Sequence, residues 1–149
     1  MRRLVLIAAL QCALLPTVWA DDPATPTALK GGKVITVDEG GALLKAKGAT
    51  FVDTRSTVNF GKGHVPGAVT AAYREKSDKV ENFNASVDSF DFEKIPADKA
   101  AKIVFYSDGP TGWKSYKAAV LAIQKGYTQV MYMRGGFADW TAKSLPVER

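Results

Sequence analysis

Residues 102–126 read KIVFYSDGPTGWKSYKAAVLAIQKG. Ile103–Tyr106 is an uninterrupted apolar run of strand length, the pattern of a strand covered on both faces. Trp113–Lys125 then changes period. Tyr116, Ala119, Val120 and Ile123 recur at i, i+3, i+4 and i+7, which predicts an amphipathic helix. Gly126 ends it in the manner of a C′ glycine. Between strand and helix lie six residues, Ser107–Gly112, rich in glycine and proline. A strand, a tight polar loop and a helix in direct succession are the unit of an α/β sheet.

The same alternation extends in both directions. Downstream, Val130–Met133 predicts a strand and Phe137–Lys143 a short helix. Upstream, Val34–Val37, Ala49–Asp53 and Ala68–Ala72 predict strands, with a short helix over Ala42–Lys47 before Gly48 and a helical turn leading to Phe60. Residues 73–100 are polar and weakly periodic, with Phe83, Phe90, Phe92 and Ile95 irregularly spaced. They predict a long connection with one helix. Residues 21–32 (DDPATPTALKGG) predict a flexible lead-in. Strands alternating with helices imply a parallel sheet.

The first twenty residues stand apart. Arg2 and Arg3 precede an apolar run, Leu4–Leu15, and Val18-x-Ala20 supplies the small residues of a cleavage site, so residues 1–20 predict a secretory signal peptide cut after Ala20. An uncleaved anchor is the competing reading. Gln11 and Pro16 leave the apolar run too short for a bilayer span. The expected location is periplasmic or secreted, with no membrane span after cleavage. Of the chain's 149 residues, 129 then remain, one ordinary domain. Loss of Arg2 and Arg3 leaves eighteen Lys and Arg against fifteen Asp and Glu, a net charge near +3. The lysines form no basic run, which argues against nucleic acid as a partner. The single cysteine, Cys12, lies inside the leader. A mature chain therefore has no disulfide, no thiolate metal site and no thiol nucleophile. One histidine, His64, is too few for a histidine metal site. Neither metal nor cofactor is expected.

Phe60-Gly-Lys-Gly-His64-Val65-Pro66-Gly67-Ala68 carries the most specific local signal. Pro66-Gly67 suits the central positions of a type II turn, where proline presets φ and glycine supplies φ > 0. A lone histidine before such a turn reads as a structural hydrogen-bonding residue. The order aromatic-x-x-x-His-Val-Pro-Gly-Ala resembles the signature of the rhodanese family. Four further stretches follow in that family's order: Phe51-Val-Asp53-Thr-Arg55, Lys102–Tyr106, Arg134-Gly-Gly-Phe137 with Trp140, and Leu145-Pro-Val147. The resemblance implies a single rhodanese-like domain over residues 33–149, a five-stranded parallel sheet flanked by helices on both faces.

In active rhodaneses a cysteine follows the strand, and backbone amides of the next loop face the anionic group carried on sulfur. Curled amides and a helix N-terminus together favour an anion. Here the frame persists without the sulfur. Ser107 is the first choice for the cysteine's position, in a loop about two residues longer than the common form. Gly109 is the alternative if the six residues before Ser115 form the loop. Gly112 matches a second cysteine of some family variants. The expected ligand-binding loop is Ser107, Asp108, Gly109, Thr111, Gly112, Trp113, Lys114 and Ser115. Lys114 stands in place of the family's loop arginine and keeps charge without bidentate geometry. Asp53 and Arg55 read as an ion pair bracing the loop, and Arg134 as a residue reaching the loop or capping a helix. A serine nucleophile needs an activating base that this sequence scarcely offers.

These readings converge on an exported rhodanese-like domain without sulfurtransferase activity of its own, a binding or accessory module. Its partner would be a small thiosulfate- or sulfate-like anion, or a protein presenting such a group. The competing readings are a sulfurtransferase-type enzyme borrowing a partner's cysteine and a structural subunit of a periplasmic complex.

Overall fold

A computed structural model describes residues 21–149; the expected leader lies outside them. Five strands form one all-parallel sheet in the order β1-β5-β4-β2-β3: β1 Lys33–Ile35, β2 Thr50–Asp53, β3 Val69–Thr70, β4 Lys102–Tyr106 and β5 Gln129–Met133. The helices are α1 Val37–Lys45, α2 Thr57–Lys62, α3 Trp113–Gln124 and α4 Gly136–Ala142.

Alternation along the central strands sends side chains to two cores. Ile103, Phe105, Val130, Tyr132 and Val52 pack with Trp113, Tyr116, Ala119 and Ala122 of α3. Val104, Tyr106, Met131, Met133 and Phe51 pack with Val37 and Leu44 of α1 and Phe137 and Trp140 of α4. Helices thus cover both faces, and after the exposed Lys102 at its start β4 is apolar and buried because neither face meets water.

Three expectations are corrected. Val37 does not end a strand but begins α1. Thr36 Oγ1 accepts the Glu39 amide at 3.2 Å while the Glu39 carboxylate accepts the Thr36 amide at 2.8 Å, a capping box that starts the helix well before Ala42. The β3–β4 connection holds no α-helix. It has two 3-10 turns, Ala85–Val87 and Phe92–Lys94, and Phe90, Phe92 and Ile95 pin it to the α3 face. Residues 21–32 are not a loose lead-in, since Thr25 and Leu29 are buried and the backbone around them is hydrogen-bonded. The Pro66-Gly67 turn is as expected, with Gly67 at φ +72° and the Ala68 amide donating to Val65 O at 3.0 Å.

Sheet order also locates a crevice. From β4 the chain leaves toward β5, and from β2 toward β3, so connections depart the carboxyl ends of these adjacent strands in opposite directions. Ligands of open α/β sheets bind at such a point.

Candidate functional site

Ser107 is the first residue beyond β4 and is buried, with 1% of its surface exposed. Its carbonyl accepts the Phe137 amide, and the Asp108 carbonyl accepts the Ala138 amide, both at 2.8 Å. The first turn of α4 therefore holds the loop from behind. Gly136 permits this contact. It lies at φ +62°, and a Cβ there would stand 2.7 Å from both Ser107 O and Gly109 N. The Gly112 amide closes a turn onto Gly109 O at 2.8 Å, and α3 begins at Trp113 with no side chain capping its N-terminus. A Cβ on Gly112 would lie 3.0 Å from Ser107 Oγ. Ser107 thus faces the start of α3 across the loop, and its hydroxyl has no partner among the described residues. Gly109 is buried against Ala138, which makes it the poorer candidate for the reactive position.

The expected loop residues divide into two groups. Asp108 and Thr111 are exposed, and Lys114 is half-buried at the start of α3. Trp113 and Ser115 turn inward. Trp113 is buried and donates its indole N–H to Pro23 O at 2.8 Å, while Ser115 Oγ donates to Gly112 O at 3.4 Å. These two shape the loop rather than face a ligand.

Asp53 and Arg55 form the brace. Arg55 Nη2 lies 2.6 Å from Asp53 Oδ2, Nε reaches both carboxylate oxygens, and the Arg55 amide donates to Oδ1 at 2.9 Å. Burial pulls the guanidinium's pKa down, but the hydrogen bond and charge of Asp53 outweigh it and hold Arg55 above its ordinary value. The same guanidinium donates to Gly63 O at 2.7 Å and lies 4.1 Å over the Phe137 ring. The pair thus steadies α4, which in turn holds Ser107. With both oxygens engaged, Asp53 has no geometry for a general base. Tyr106, whose hydroxyl accepts the Val65 amide at 3.1 Å, has its pKa raised by burial and by Asp53. His64 stacks on Phe60 at 3.7 Å, with Nδ1 3.0 Å from Phe60 O and Nε2 3.5 Å from Glu148. Both ring nitrogens are engaged, at Phe60 and Glu148, and neither is a hydrogen-bond partner of Ser107 Oγ. Arg134 neither caps a helix nor reaches the loop directly; it donates through Nε and Nη2 to Thr25 O at 3.1 and 3.0 Å.

A cleft of about 430 Å³ opens at the crevice, lined by Ser56 and Thr57 after β2, Ala72–Glu75 after β3, and Lys114 of α3. Of the residues singled out from sequence, Lys114 alone lines it. Glu75 lies 2.8 Å from the Nζ of Lys117, a fully buried lysine that also donates to Ser77 O and Oγ. Glu75 is thereby ion-paired with Lys117. Arg74 and Lys114 have no carboxylate within ion-pair distance among the described residues. Two free cations, two hydroxyls and an uncapped helix start favour a small anion. No three His, Cys, Asp or Glu side chains among the described residues are placed to share a metal.

Comparison with known proteins agrees with this architecture. The family model described as Rhodanese-like domain matches residues 36–143. The chain is 29% identical to the uncharacterized protein YibN of Escherichia coli K12 over 118 residues, 78% of this chain and 73% of that one. It is also 29% identical to rhodanese-like domain-containing protein 17 of Arabidopsis thaliana over 142 residues, covering 91% and 86% of the two chains. Among solved structures, the BH2092 protein of Bacillus halodurans superposes with a TM-score of 0.60 at 22% identity, covering 78% of this chain and 76% of that one. The human single-domain sulfurtransferase TSTD1 gives 0.55 at 20%, covering 74% and 96%. With its parallel sheet order, its His-Val-Pro-Gly turn and a loop seated between β4 and α3, the chain belongs to the rhodanese-like domain family.

Proposed function

We propose that this rhodanese-like domain is an exported binding module that holds a small sulfate- or thiosulfate-like anion, or a partner's group of that chemistry, and does not itself transfer sulfur. One observation carries the reading. The buried residue facing the start of α3 is Ser107, and residues 13–149 contain no cysteine. Sulfane-sulfur transfer needs an atom that accepts and releases sulfur, and a hydroxyl cannot do so. Binding needs less. Lys114 and Arg74 supply charge and the start of α3 supplies amides, an arrangement suited to an anion held without covalent chemistry. Export rests on the Arg2–Ala20 pattern, and intact mass should place the N-terminus of exported material at Asp21.

The test is thiosulfate-to-cyanide transfer by the purified mature chain. Turnover at background level is the expected result. Turnover that persists after contaminating thiols are removed would overturn the reading.

A further inference from the structure

The segment before β1 is built into the site. Pro110 has no N–H, and its carbonyl is taken by two donors of Thr25, the amide and Oγ1, each at 2.8 Å. Thr25 Oγ1 in turn accepts the Tyr132 hydroxyl at 2.7 Å, and Thr25 O accepts both Arg134 bonds. Two residues earlier, Pro23 O takes the indole N–H of Trp113, the first residue of α3. Thr25 is 3% exposed, and Leu29 is buried in the α3-side core, so the segment is anchored at both places. Farther out, Asp22 Oδ2 lies 2.5 Å from Lys79 Nζ. One short stretch therefore ties together β5, the turn after it, the Ser107–Gly112 loop and the first residue of α3.

We propose that Pro23–Thr25 is a strap that fixes the Pro110–Trp113 turn, and that Thr25 is a positioning residue for the anion site. The inference rests on the reading of that loop as an anion site. Pro23 and Thr25 carry no charge toward the ligand, so their influence runs entirely through the shape of the loop. Freed from Thr25, the Pro110 carbonyl loses both protein donors and the Trp113 indole loses the neighbour that aligns its acceptor. The turn then opens without disturbing β4. A mature chain starting at Asp21 keeps the strap whole, whereas trimming past Thr25 removes it.

Amide exchange by NMR tests this on the chain from Asp21 to Arg149. Thr25→Val keeps the amide bond to Pro110 O but loses the two Oγ1 bonds, to Pro110 O and from the Tyr132 hydroxyl, so the Gly112 amide should exchange about fivefold to tenfold faster while Val104 in β4 is unchanged. The Trp113 indole resonance should move, and apparent sulfate affinity should fall by a similar factor. Thr25→Ser, which keeps the hydroxyl, should restore all three. The unaltered chain gives an independent reading, because the Thr25 and Gly112 amides should open together. Free-peptide exchange at Thr25 beside a protected Gly112 would overturn the strap, as would a Thr25→Val loop that exchanges as before. A wild-type loop indifferent to sulfate, but loosened by Thr25→Val, would leave the strap standing and remove the anion reading instead.

Discussion

Gly136→Ala should damage the site's support more than any surface change. At φ +62° an L-residue costs about 1–2 kcal/mol relative to glycine. The added Cβ would meet Ser107 O and Gly109 N at 2.7 Å and Asp108 C at 2.9 Å. All three are backbone atoms, so no rotamer relieves the contact. The first turn of α4 must back away, stretching the Phe137 N–H to Ser107 O and Ala138 N–H to Asp108 O bonds. Each is worth about 0.5–1.5 kcal/mol net. The total is about 2–5 kcal/mol, or a fall in Tm of about 8–20 °C for a domain of this size. Urea unfolding followed by tryptophan fluorescence reads the change directly. Gly61→Ala is the control, because a Cβ there meets nothing within 4 Å; it should be neutral or stabilising by up to about 1 kcal/mol. A Gly136→Ala loss below about 1 kcal/mol would show that α4 does not clamp the loop as described.

Asp53→Asn strands Arg55, whose side chain is 5% exposed, and should cost about 3–5 kcal/mol by chemical denaturation, whereas Asp38→Asn at the surface should cost less than about 1 kcal/mol. Asp88 supplies a pH signature. Burial raises its pKa, but hydrogen bonds from Ser77, Tyr73 and the Lys76 and Ser77 amides prevail and hold it at about 2, against 3.8 unfolded. The unfolded chain therefore binds more protons in this range, so the stabilisation is complete above roughly pH 4 and disappears as pH falls toward 2. Asp88→Asn should flatten that limb of the acid-stability curve. Finally, the Cβ of Ser107 and a Cβ built on Gly112 stand 3.1 Å apart. A few tenths of an ångström of opening brings them into the disulfide range of about 3.5–4.5 Å, so Ser107→Cys with Gly112→Cys should cross-link on mild oxidation and resist alkylation.

The strand–loop–helix unit at residues 102–126 was legible because two clean periodicities flank a glycine-rich break. The His64–Ala68 turn was legible because proline and glycine each have one conformational use there. Less visible was α1, since Gly40 and Gly41 mask its helical pattern. Gly40 is there because a Cβ would stand 2.5 Å from Met133 Sδ, and the Thr36–Glu39 capping box was the signal that could have revealed the helix. The strap escaped notice because most of its bonds use main-chain atoms, which leave no trace in composition; only Leu29 hinted at burial. The cleft was harder still. Ser56, Arg74, Glu75 and Lys114 come from three separate connections, and the β4–β2 adjacency that gathers them is a property of sheet order. Lys117 falls on the apolar face of α3, where its buried pairing with Glu75 depends on a connection that shows no regular pattern.

Titration of residues 21–149 with thiosulfate and with sulfate, followed by amide NMR, examines the proposed anion site itself. Saturable shifts should gather at Arg74, Ser107 and Gly112–Ser115 by tens of millimolar anion, on the order expected for so few contacts, and should weaken in Lys114→Gln. Resonances near Lys33 and Lys102, at the opposite end of the sheet, should remain still. A loop that does not respond, or shifts spread evenly over all surface lysines, would contradict an anion site between β4 and α3.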